Sequence, residues 1–181
     1  AAQFLDKGLS TFIMEDKEMM DKLEVLIVND GTKDNSVEVA QKFVDRYPDT
    51  FKIINKENGG HGSAINTGVE NVTGKYFKCV DADDWVYTDA LERTMKILEK
   101  EDFDALIQSF ITYDISKDLW EPRDIHCDNT DRIYNLKEIV DMWEQIDYGM
   151  SFHGVTYNSQ FYKRLGYKLI EGVFYEDQEY A

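Results

Sequence analysis

The sequence predicts an α/β fold with a mainly parallel central sheet flanked by helices, and three observations carry that prediction. Apolar runs of strand length alternate with helical stretches, turn residues mark the junctions, and the first run is apolar almost throughout. That run is "LEVLIVND" (23–30), the pattern of a strand buried on both faces, and the Asp30–Gly31 turn ends it. Before it, Phe4, Leu5, Leu9, Phe12 and Ile13 in "FLDKGLSTFI" fall on a helical period. After it, Val37, Ala40, Phe43, Val44 and Tyr47 share one helix face, and Pro48 closes the helix. "FKIINKE" is the next strand, "NGGHGS" a glycine-rich loop, "SAINTGVENV" a short helix and "KYFKCV" a third strand. A β-α-β-α-β order implies right-handed crossovers and helices covering the sheet. Further on, Thr88 or Asp89 stands where it can cap the helix "ALERTMKILEK", and "DALIQSFITYD" reads as one more strand. Asn135 with Glu138 forms a capping-box signature for "LKEIVDMWEQI". The Asp-rich stretch 115–132, with Pro122, is the longest excursion, either a surface loop or a pair of edge strands.

Composition narrows the function. A chain of 181 residues with 43% hydrophobic content supports one core, so residues 1–181 are expected to form a single domain. Thirty-six acidic against 20 basic side chains give a formal charge of −16, which disfavours nucleic acid and anionic membrane surfaces as partners. Cys79 and Cys127 have neither metal-ligand spacing nor the density of a disulfide scaffold, so reduced thiols in a cytoplasmic setting are expected. No stretch approaches the roughly 18 apolar residues of a membrane span, and residues 1–20 lack the basic-then-apolar order of a secretory signal.

The chemistry concentrates in "VDADDWV" (80–86). Asp81, Asp83 and Asp84 follow the third strand, at the carboxyl end where open α/β sheets bind ligands. Helix capping would explain them less well, because Thr88 and Asp89 are nearer the next helix. Clustered carboxylates repel unless a cation intervenes, and no basic residue adjoins them in sequence. Oxygen ligands without neighbouring His or Cys suit Mg²⁺ or Mn²⁺, which commonly keep positions open for substrate phosphates. Two other loops share that sheet edge: "VNDGTKDNS", in which Asp30 either accepts from a base or sugar or merely makes a turn, and "NKENGGHGSAINTG", whose backbone N–H groups could face a phosphate. His61 and His153 taken singly read as packed or surface rings rather than catalysts.

In order, "VNDGTKDNS", "KENGGHGSAINTGVENVTGKYFKCVDADDWV" and the terminal "YEDQEYA" resemble the motifs of family 2 glycosyltransferases. The resemblance runs in register over about residues 1–110. It implies a GT-A type fold, like that of nucleotide-diphospho-sugar transferases, and transfer from a nucleoside-diphosphate sugar, expected to be a UDP-sugar, with inversion. The acceptor implied is a saccharide or a lipid-linked one. Residue by residue, Asp30 resembles the aspartate that contacts the base, while Gly31, Asn58, Gly60, Asn66, Asp81 and Ala82 fall in the donor-binding motifs. Asp81 and Asp83 resemble the D-x-D pair, with Asp84 beside them as a further candidate for Mg²⁺ or Mn²⁺. Asp177, after Glu176, matches the candidate base.

Two departures stand out: Ile65 occupies the place of the usual arginine, and the family's first strand is missing ahead of the opening helix. The chain is thus expected to be incomplete at both ends, to leave an unpaired flank on its first strand, and to transfer sugar poorly. Membrane association of a longer protein stays open, since some family members continue into membrane segments. Two other classes remain: a metal-dependent nucleotidyltransferase, whose basic glycine-rich loop after the first strand is not seen, and a phosphoacceptor receiver module, whose later lysine is not evident.

Overall fold

A computed structural model describes residues 2–127, 129–130 and 132–173. Helix α1 (Ala2–Ser10) and the single turn α2 (Lys17–Met20) precede β1 (Val25–Asp30), α3 (Ser36–Arg46), β2 (Phe51–Lys56), α4 (His61–Asn71) and β3 (Tyr76–Phe77). Then come α5 (Thr88–Leu98), β4 (Ala105–Ile107), β5 (Phe110–Asp114), β6 (Leu119–Arg123), α6 (Leu136–Asp141), α7 (Trp143–Ile146), β7 (Val155–Asn158) and α8 (Ser159–Leu165).

Strands β1 and β2 pair in parallel from Val25–Phe51 to Asp30–Lys56, with α3 as the crossover. β7 lies between β3 and β4 and is antiparallel to both, so β3 and β4 run parallel to each other. The α/β alternation therefore holds, with one reversed strand inserted where the sequence pattern "VTYN" was too short to announce it. β7 is a deeply buried strand, with Val155 wholly inaccessible.

Several features differ from expectation, among them the third strand, which spans only Tyr76–Phe77 of the expected 75–80. The stretch 104–114 is not one strand: β4 joins β7, whereas β5 pairs with β6 as a hairpin, so 115–132 holds one strand of a pair and not both. The break falls at polar residues with tertiary partners. The Gln108 backbone N–H donates to Gly154 O at 2.9 Å, and Ser109 Oγ accepts from the Ile125 N–H at 3.1 Å. Nor does Thr88 or Asp89 cap α5, which starts from Tyr87 without a side-chain cap bond; the Thr88 hydroxyl instead donates to Thr11 O at 2.8 Å. The Asn135–Glu138 capping box does form, with reciprocal bonds of 3.1 and 2.9 Å, and the helix it opens breaks at Met142 into α6 and α7.

Apolar packing divides into two clusters. One gathers Leu5 and Leu9 of α1, Val39, Ala40 and Phe43 of α3, Phe51 of β2 and Met95 of α5. The other gathers Ile65 of α4, Phe152, Val155 and Tyr157 around β7, Tyr162 of α8 and Leu169. Every residue of β1 is only half-buried, although the sequence pattern suits burial on both faces. The reason is lateral: among the described residues β1 pairs only with β2, and a cavity of about 290 Å³ borders Ile27 to Asp30. Neither Cys79 nor Cys127 is in a disulfide. No helix among the described residues is long and apolar enough to cross a membrane.

Candidate active site

The loops after β1, β2 and β3 meet through side chains of the sequence motifs. Asp30 ends β1, and its carboxylate accepts the N–H groups of Gly59 and Gly60, at 2.9 and 2.8 Å, and the Lys56 ammonium at 2.5 Å. A carboxylate offers about four acceptor positions, so Asp30 is largely occupied in shaping the glycine loop. Burial pushes its pKa up, but the Lys56 charge and the two amides prevail and hold the carboxyl below its ordinary value. Gly60, at φ +86°, adopts a left-handed conformation that a side chain would strain, and so turns successive N–H groups toward one acceptor. Asn58 adds a bond from its amide to Asp30 O at 3.0 Å.

The acidic loop is held from the other side by α1. A Cβ on Gly8 would come within 2.6 Å of Asp84 O, so glycine permits the close approach of this helix. The Val86 N–H donates to Thr11 Oγ1 at 3.2 Å, and the Lys7 ammonium lies 3.4 Å from the centroid of the Trp85 ring. Within the loop, the Asp84 N–H donates to Asp81 O at 3.0 Å and closes a turn.

Two imidazoles reach the carboxylates, one from the glycine loop and one from the segment before β7. His61 Nε2 stands 2.9 Å from Asp81 Oδ1, and His153 Nδ1 stands 3.2 Å from Asp84 Oδ2. The hydrogen bond to Asp84 raises the His153 pKa against the opposing effect of burial. Lys78 donates to His153 O at 2.5 Å, and burial lowers its pKa to about 8. Both histidines, which singly read as packed or surface rings, therefore belong to the carboxylate cluster, and the cluster is not without basic neighbours. His61 lies in a loop that the sequence already placed at this sheet edge, whereas nothing in the sequence around His153 signalled its place, which follows from the pairing of β7 with β3.

Of the other donor-motif residues, Asp30, Asn58 and Ala82 line the cavity beside β1, together with Leu5, Val37 and Ile53. Gly31, at φ +71°, makes the turn after β1. Asn66 is engaged elsewhere: its amide donates to Leu169 O at 2.9 Å and its oxygen accepts the Leu169 N–H at 3.0 Å. Ile65 is buried in the second cluster, so this position packs the core. Asp83 is exposed, while Asp81, Asp84 and His153 have donor atoms within 4.8 Å of one another. The carboxylate and imidazole donors fit a divalent cation. Glu176 and Asp177 lie outside the described residues.

Fold and loops together define a GT-A type α/β domain with its candidate site at the carboxyl ends of the strands. The model of "Glycosyl transferase family 2" matches residues 3–166, and the chain belongs to that family. With this membership the receiver-module and nucleotidyltransferase alternatives fall away. The chain is similar to the uncharacterized glycosyltransferase YibD of Escherichia coli, 43% identical over 83 residues, which are 46% of this chain and 24% of that protein. It is similar to the putative glycosyltransferase EpsH of Bacillus subtilis, 35% identical over 79 residues, 44% of this chain and 23% of that protein. Among solved structures, S. aureus TarS 1-349 in complex with UDP-GlcNAc matches with a TM-score of 0.70 at 17% identity, over 97% of this chain and 48% of that one. The chain thus spans about half or less of the proteins it matches.

Proposed function

We propose that this chain holds the donor site of an inverting glycosyltransferase that moves a sugar from a UDP-sugar to an acceptor hydroxyl with the help of Mg²⁺ or Mn²⁺. The observation that carries the reading is the meeting of the Asp30-anchored glycine loop with the Asp81–Asp84 turn through His61. A donor laid across that junction would find a glycine loop held in shape by Asp30 on one side and a metal-ligating cluster on the other. The same fold in S. aureus TarS, solved with UDP and with UDP-GlcNAc, supports the choice of donor.

In this proposal Asp30, Gly31, Asn58, Gly60, Asn66, Asp81 and Ala82 form the donor side, with Asp30 and Asn66 acting by holding the loop and the 169–171 segment in place. Asp81, Asp83 and Asp84 would hold the cation, which when bound supplies positive charge to the diphosphate leaving group. Asp177 takes the proton of the acceptor hydroxyl as general base. The acceptor is a saccharide or a lipid-linked one. The setting is cytoplasmic, and a longer protein could attach to the inner membrane face. Calorimetric titration of UDP with and without Mn²⁺ tests the site: Asp83→Ala should abolish the metal-dependent part of binding, and unchanged binding would remove Asp83 from it. In a protein of the relatives' length, undiminished turnover by Asp177→Asn would exclude Asp177 as the base.

A further inference from the structure

The ladder between β3 and β7 pairs Tyr76 with Asn158 and Phe77 with Tyr157. His153 stands in the turn that leads into β7, which the Gly154 and Val155 N–H groups close on Ser151 O at 2.9 and 3.2 Å. This antiparallel insertion brings a histidine from the far end of the chain to the acidic turn after β3. His153 Nδ1 is 3.2 Å from Asp84 Oδ2, and one donor atom each from Asp81, Asp84 and His153 falls within a 4.8 Å span. Around a divalent ion with ligands at about 2.1 Å, adjacent donors stand about 3.0 Å apart and opposite ones about 4.2 Å. The observed spread therefore approaches that of ligands on one ion.

The ring is also held in place. Lys78, two residues before Val80 and the acidic turn, donates to His153 O at 2.5 Å, while the rings of Phe110 and Phe152 have centroids 5.4 Å from the imidazole. A side chain fixed by backbone, aromatic neighbours and a carboxylate is pre-organised as a ligand.

We propose that His153 is a nitrogen ligand of the cation centre proposed on Asp81, Asp83 and Asp84, where it stands beside Asp81 and Asp84, and that the imidazole makes the site take Mn²⁺ in preference to Mg²⁺. The inference rests on the cation-assisted donor site proposed above and adds a ligand from a different element. Mg²⁺ favours oxygen donors and retains its waters, so an imidazole in the set shifts preference toward Mn²⁺. His61 serves as the comparison, since its Nε2 lies 2.9 Å from Asp81 Oδ1 but it is not in the group of donors gathered by Asp81, Asp84 and His153.

Pulsed electron paramagnetic resonance of Mn²⁺ added to the 181-residue chain with UDP tests this. A nitrogen modulation from directly bound imidazole is expected in the wild type, changing in character when the histidines carry ¹⁵N. His153→Ala should lose it and weaken Mn²⁺ uptake at least about tenfold, whereas His61→Ala should keep it. The isotope experiment needs no substitution, so misfolding of a variant cannot mask the answer. Mn²⁺ uptake without nitrogen modulation, or modulation lost with His61 and retained without His153, overturns the inference and leaves the cation-assisted reading standing. UDP binding without any Mn²⁺ uptake overturns both, and absence of Mn²⁺ uptake with or without UDP likewise.

Discussion

Replacing Asp30 with alanine separates two roles for this side chain, base contact and loop anchor. The substitution leaves the Gly59 and Gly60 N–H groups without their acceptor and the Lys56 ammonium with Glu57 O at 2.6 Å. The Asp30 side chain is only 18% exposed, and hydrogen bonds to a charged group contribute about 1.5–3 kcal/mol each. The glycine loop is half-buried and can open toward water, which recovers part of the loss. The expected net destabilisation is about 2–4 kcal/mol at pH 7, measured by urea unfolding followed by circular dichroism. The pH dependence has a definite sign. Because the folded-state pKa of Asp30 is depressed, its contribution is present above the unfolded value of about 3.9 and disappears as pH falls through the lower folded value. The gap between wild type and Asp30→Ala should thus be constant from pH 7 to about pH 5 and close below about pH 4. A difference under about 0.5 kcal/mol at pH 7, the range of neutral surface changes, together with lost UDP binding, would refute the anchor and leave only the base contact.

Two further predictions concern what supports the site. Phe51 is completely buried, with ring centroids of Phe43 and Tyr47 at 5.5 and 6.1 Å, so Phe51→Ala should cost about 3–5 kcal/mol in the same unfolding assay. A cost below about 1 kcal/mol would mean that this cluster collapses around the void. Asn66→Ala removes both bonds to Leu169 and should raise amide hydrogen exchange at residues 169–172 while leaving α3 protected; unchanged exchange there would show that Leu169 burial alone holds the segment.

The sequence by itself determined the elements whose signals are local. The periodicity of α1 and α3, the apolar runs of β1 and β2, the Asp30–Gly31 turn and the Asn135–Glu138 box each need only near neighbours. It also pointed to the three loops of the candidate site, because an alternation of parallel strands and helices places the carboxyl ends of those strands on one edge. Tertiary structure decided which groups meet there. The four-residue β7 is too short to show a period, yet its pairing with β3 brings His153 to Asp84 across 69 positions of chain. Gln108 and Ser109 separate β4 from β5 and find partners at Gly154 and Ile125, and no local rule encodes those partners. Thr88 is a good cap by type but bonds Thr11, since α1 packs against the acidic loop through the glycine at position 8. Asn66 and Asp30 look like ligand contacts in the motif and act first as bonds within the fold. A polar side chain satisfies the nearest donors and acceptors that folding brings to it, and those are set by packing across the chain rather than along it.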